Sequence, residues 1–150
     1  MTSQSDLKSI SLKRIKGAKL LLDDGDYQGS AYLMGLSLEC ALKAVVCKTL
    51  RIPTYPEGYE DDKKVPGFFM THSFVRLLLL SGLSDIFTAG GNNSKAIDNW
   101  SSFTFQYPGE WVGMRYKLDQ FDKSLIEKLY KFLYDDEDSI IKIIESQNRW

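Results

Sequence analysis

The stretch YQGSAYLMGLSLECALKAVVCKTL, residues 27–50, is apolar on almost every side of a helix. A helix of that kind needs neighbours all round, because one lying at the surface would keep a polar face. Ala31, Gly35, Ser37, Ala41 and Ala44 are small enough to let those neighbours come close. In a chain of 150 residues, one of the surrounding partners could be a second copy of the molecule. Glu39 stands near the middle of the run, with Lys43 one turn later. A carboxylate buried there without a partner would be costly. Residues 31–50 just match the length of a membrane span, but Glu39, Lys43 and Lys48 interrupt them, and such charges are expensive in hydrocarbon. The expected reading is the buried helix of a soluble chain with no membrane partner.

The rest of the chain supplies helices to surround it. Helix one is expected from about Asp6 to Asp24, with Leu12, Ile15, Ala18 and Leu22 on one face, widened by Leu7, Ile10 and Leu21. Gly25 then sits where a helix C-terminus favours glycine, and Asp26 can cap the next helix. So short a connection makes helices one and two antiparallel neighbours. Helix two runs from about Gln28 to Leu50 and is kept from going much further by Pro53. Helix three, about Ser73 to Leu80, is announced by Thr71-His72-Ser73 and closed by Gly82. Helix four begins near Asp122 and runs towards Gln147. Its inner face is marked by Phe121, Leu125, Leu129, Phe132 and Leu133, then by Ile140, Ile141 and Ile144 after a break at Asp135–Asp138. Two long connections remain, 51–70 and 88–110. In the second, Phe103, Phe105 and Tyr107 alternate as a short extended stretch would, and Trp100 and Trp111 join them in pinning the connection over the helices. The expected architecture is a single all-α domain over 1–150, an up-and-down four-helix bundle with two long loops.

Composition and motifs narrow the chemistry by exclusion. The formal net charge is −1, so bulk charge does not drive nucleic-acid binding; Lys13, Arg14, Lys16 and Lys19 make one modest basic patch. No secretory leader is apparent in MTSQSDLKSISLKR. Cys40 and Cys47 are two turns apart on one helix, roughly 10 Å, which is too far for a disulfide. Free thiols suit a reducing compartment, so a cytoplasmic location is expected. Two thiols and one distant histidine do not make a metal site, and no cofactor is expected. There is no Gly-rich phosphate loop, no paired CxxC, no H-E-x-x-H and no G-x-S-x-G. His72 is the sole imidazole, so any acid–base chemistry by histidine falls to it.

The string LLDDGDYQGSAYLMGLSLECALKAVVCKTL resembles the signature of the HEPN superfamily of small helical bundles. The matching elements are the GDY turn, an alanine–tyrosine pair at Ala31-Tyr32, a glycine one turn later and ECALKA. A histidine opening the third helix is echoed by Thr71-His72-Ser73-Phe74, and an aromatic stretch ending in Arg-Tyr by YPGEWVGMRY, residues 107–116. The resemblance covers roughly residues 6–50, 72–83 and 107–145. It implies a homodimer in a prokaryotic toxin–antitoxin or defence setting, beside a nucleotidyltransferase or toxin partner protein. It also implies, for the catalytic branch, a metal-independent RNase with an Arg-x(4–6)-His motif.

That motif is absent here. After Arg115, the positions that could hold the histidine are Gln120, Phe121 and Asp122, and Arg14, Arg51 and Arg76 likewise lack a histidine at that spacing. The leading expectation is therefore a non-catalytic module binding a nucleotide, RNA or a partner protein through Tyr32, Glu39, Trp111, Arg115 and Tyr116. A divergent RNase toxin built on His72 and Arg115 is the alternative. An antitoxin or immunity protein is another, its acidic Glu60-Asp61-Asp62 and Asp135–Asp138 runs mimicking phosphates. For Glu39 the favoured role is a structural tie to Arg115 or Tyr116, ahead of an exposed pair with Lys43 or a direct ligand role.

Overall fold

The computed structural model describes residues 2–56, 67–118 and 120–150, and among them the chain is all-helical without a strand. The acidic run at 60–62 lies outside the described residues. The α-helices are α1 (Gln4–Asp24), α2 (Tyr27–Leu50), α3 (Phe74–Ser81), α4 (Ser84–Phe87), α5 (Ser94–Thr104), α6 (Lys123–Tyr130) and α7 (Ile140–Ser146). Short 3₁₀ segments cover Gly67–Phe69 and Trp111–Tyr116, and a π-turn at Lys131–Asp135 prolongs α6.

The helix ends fall where the side chains dictate. Ser3, Asp26, Ser73 and Asp122 each accept the backbone N–H three residues on, capping α1, α2, α3 and α6. Gly25 (φ 87°) and Gly82 (φ 74°) close α1 and α3 in the left-handed conformation that glycine adopts without strain.

The two-residue turn folds α1 back along α2, and three serines set how they align. Ser11 Oγ donates to the Ser37 carbonyl at 2.8 Å and Ser37 Oγ returns the bond to the Ser11 carbonyl at 2.9 Å. Ser30 Oγ donates to the Ala18 carbonyl at 2.7 Å. All three hydroxyls are buried and satisfied, and small side chains at these places bring the two helices close.

The neighbours that α2 demanded come from the chain itself. Thirteen of its residues are buried, and α1, α3, α6 and the Trp111–Tyr116 segment pack on it. Burial of α2 therefore gives no argument of its own for a second copy. By length and composition α2 could cross a membrane, yet 72% of the apolar window is buried within the fold.

The second connection departs from the sequence expectation. Residues 94–104 form α5, capped by Asn93, inside what was expected to be a long connection, and Phe103 lies in that helix rather than in an extended stretch. Ala96, Asn99, Trp100 and Phe103 are its buried side, a helical spacing that the alternation of Phe103, Phe105 and Tyr107 masks. Phe103, Tyr107 and Trp111 cluster with Phe74 of α3, their ring centres 4.7–6.5 Å apart. The aromatics thus pin this region to the core as expected, except Phe105, which is exposed.

On α6, Ile126, Leu129 and Leu133 are fully buried, with Leu125 and Phe132 only partly so. The break at 135–138 is present and tethered: Asn93 donates to the Asp138 carboxylate at 2.8 Å and Asn99 to its carbonyl at 2.9 Å. The Asp138 carboxylate is thereby engaged within the fold, while Asp135, Asp136 and Glu137 are exposed.

Candidate functional site

Tyr32 and Glu39 are seven residues apart on α2, two turns of helix, so they share one face about 10 Å apart along the axis. Gly35 and Lys43 fall on the same stripe. Two later segments lie over it. The 3₁₀ segment lays the Trp111 ring on Gly35 so closely that a Cβ there would lie 2.6 Å from the indole. The residues before α3 bring His72 to Glu39.

Glu39 is 5% exposed and has two partners. Lys43 Nζ lies 2.8 Å from Oε1, and His72 Nδ1 sits 3.0 Å from each carboxylate oxygen. The structural tie foreseen for Glu39 is therefore made, but to different groups than Arg115 and Tyr116. Lys43, one turn along α2, is a partner by simple helical geometry, and its ammonium also faces the Tyr55 ring at 4.9 Å. His72 comes from 33 residues away, a pairing that only the packing of α3 against α2 creates.

A carboxylate accepts, so the hydrogen in this contact belongs on Nδ1, and the neutral ring keeps its lone pair on Nε2. The imidazole side chain is 55% exposed, while the side chain of Glu39 beneath it is 7% exposed. The His72 backbone carbonyl accepts from Trp111 Nε1 at 2.7 Å, which ties the start of α3 to the 3₁₀ segment.

Arg115 and Tyr116 stand at the other end of the stripe. The Arg115 guanidinium lies 4.8 Å from the Tyr116 ring centre. The Tyr32 and Tyr116 side chains beside it hold Arg115 above the ordinary arginine value, so it stays charged throughout. No ion pair to Arg115 is formed among the described residues. Tyr116 is 79% exposed. Tyr32 bridges inward, its ring 5.9 Å from that of Trp111.

The structure thus brings Tyr32, Glu39, Trp111, Arg115, Tyr116 and His72 onto one strip, and adds Lys43 and Tyr55, which the site reading had left out. Lys43 was visible as a helix neighbour of Glu39; Tyr55 carried no sequence signal. Trp111 is 1% exposed, so it supports the strip rather than offering itself to a ligand. Among the described residues no cluster of histidine, cysteine, aspartate and glutamate could hold a metal ion. Compared with known proteins, the chain matches no family model, no curated protein and no solved structure.

Proposed function

We propose that the chain is a HEPN-like helical module that binds a phosphate-bearing ligand, a nucleotide or single-stranded RNA, along the Tyr32–Glu39 strip of α2. One observation carries this reading: among the described residues, the carboxylate of the strip, Glu39, is already neutralised by Lys43, whereas Arg115 is charged, exposed and without a carboxylate partner. A guanidinium beside an exposed tyrosine ring suits a phosphate next to a stackable base. In this reading α1, α2, α3 and the α6–α7 pair are the four helices of the bundle, and α4 and α5 are an insertion between the third and fourth. A homodimer and a nucleotidyltransferase or toxin partner belong to the same reading.

Fluorescence anisotropy with a labelled nucleotide and a labelled single-stranded RNA tests it. Wild type should bind at least one of them, with affinity falling as salt rises. Arg115→Ala should weaken binding about tenfold while leaving the melting temperature within about 2 °C of wild type, because its side chain is exposed. If neither probe binds wild type, the reading fails. Light scattering on the same sample checks the dimer.

A second reading has its own support in the Glu39–His72 contact. An imidazole held by a carboxylate through Nδ1, with its ring partly open to solvent, has the arrangement of a general base. The divergent-RNase alternative would use it with Arg115. Incubation with total RNA in EDTA decides: cleavage lost in His72→Ala supports this reading, and intact RNA with wild type sinks it.

A further inference from the structure

Charge is unevenly controlled along the strip. Arg115 is positive at any ordinary pH, and Glu39 and Lys43 cancel one another at 2.8 Å. His72 is the one member of the strip whose side-chain type changes charge between pH 5 and 8. It is also the only histidine in the chain. Among the described residues, the charged groups facing its ring are Glu39, within 3.0 Å of Nδ1, and Lys43, bound to the same carboxylate oxygen. From the 3₁₀ segment the contact is the uncharged Trp111 indole on the His72 carbonyl, and on α3 itself Arg76 follows one turn later.

We infer that His72 is a proton-operated contact of the binding strip, so that phosphodiester ligands are held more tightly as pH falls from 8 to 5. The inference rests on the phosphate-binding reading above. The geometry supplies its mechanism. Nδ1 stays occupied by Glu39 in both states, so the proton gained on acidification goes to Nε2, away from that contact and on a ring partly open to solvent. Protonation therefore adds a donor and a positive charge at Nε2 without breaking the contact that positions the ring. Glu39 acts as a positioning residue for His72. Because Lys43 already pairs with Glu39, the added charge is not cancelled within the strip but adds to the positive charge of Arg115.

The sign follows from linkage. Proton and anionic ligand favour the same state, so affinity rises as pH falls through the imidazole range and levels off below it. By reciprocity, bound ligand moves the imidazole titration to higher pH. The probe is a short single-stranded RNA carrying a rhodamine dye, because its phosphodiesters keep a constant charge over this range, unlike phosphate monoesters. With wild type, affinity should be about fivefold to tenfold higher at pH 5.5 than at pH 8. Binding to His72→Gln, at whatever strength, should be flat across the same range. The single imidazole signal in the proton NMR spectrum should shift its midpoint upward when the RNA is added. Binding by wild type that is flat in pH, an unchanged slope in His72→Gln, or an unmoved midpoint each overturns this inference while leaving the phosphate-binding reading standing. Absence of RNA binding at every pH overturns the inference; absence of nucleotide binding as well takes the parent reading with it.

Discussion

Replacing Glu39 by alanine removes a carboxylate that is 5% exposed and holds Lys43 at 2.8 Å and His72 at 3.0 Å. Breaking one side of a fully buried ion pair costs about 3–5 kcal/mol, chiefly because the surviving ion is stranded. The survivors here are less trapped. The His72 side chain is 55% exposed and can turn to water, and Lys43, at 13%, keeps the face of the Tyr55 ring. The expected loss is therefore about 2–3 kcal/mol, which for a chain of this length lowers the melting temperature by about 4–12 °C. Glu39→Gln keeps the shape and one acceptor and should fall between alanine and wild type. Lys43→Met leaves the carboxylate with only His72, whereas the Glu39→Gln/Lys43→Met double variant has neither charge. The double variant should therefore lose at least about 1 kcal/mol less than the two single losses added together. Urea unfolding followed by circular dichroism near neutral pH measures all four. A Glu39→Ala protein melting within about 2 °C of wild type would refute the view that this carboxylate ties α2 to the start of α3.

Two further consequences concern groups packed around the strip. Gly35→Ala puts a methyl group 2.6 Å from the Trp111 ring, so the indole must shift and its bond to the His72 carbonyl must stretch or break. Thermal melting should show a loss of about 1–3 kcal/mol, with a change in tryptophan emission. Burial pushes the Cys47 thiol up from its ordinary value near 9 to about 11, so folding favours the protonated form. The stability this represents is complete below about pH 9 and is lost as pH climbs towards about 11. Urea unfolding between pH 8 and 10.5 should show a decline that is shallower in Cys47→Ala. A native Cys47 reacting with a thiol reagent at pH 8 as fast as the half-buried Cys40 would contradict it.

Local chemistry made much of the fold legible. Gly25, Gly82, Asp26, Ser73 and Asp122 act on their own neighbours within three or four residues, and the helix ends they imply are the ends observed. Helix α5 escaped because two periods overlap in one aromatic segment. Phe103, Phe105 and Tyr107 alternate, while Ala96, Asn99, Trp100 and Phe103 repeat as a helix does. Asn93 ahead of Ser94 was the usable cue, since its side chain accepts from Ala96 N–H at 3.1 Å. At the site, the sequence alone indicated that Glu39 must have a partner, because burial of α2 followed from its composition. It could not say which partner. Lys43 is reached along one helix, but the His72 contact depends on how α3 docks, and Arg115 was assigned to Glu39 when it belongs one stretch of α2 away, beside Tyr32.

The serines between α1 and α2 have a consequence for how the chain finds its shape. Apolar side chains facing one another are nearly indifferent to a slide of one turn, since each methyl group meets another much like it. A hydroxyl is not indifferent. Ser11 and Ser37 exchange bonds with each other's carbonyls, and Ser30 meets only Ala18. Any slip along the axis would leave three polar groups dry and unmatched at once. The first two helices therefore carry an internal ruler, independent of the turn that joins them. The alignment of α1 on α2 is thus written into residues 11–37 themselves, apart from the segments that cover α2.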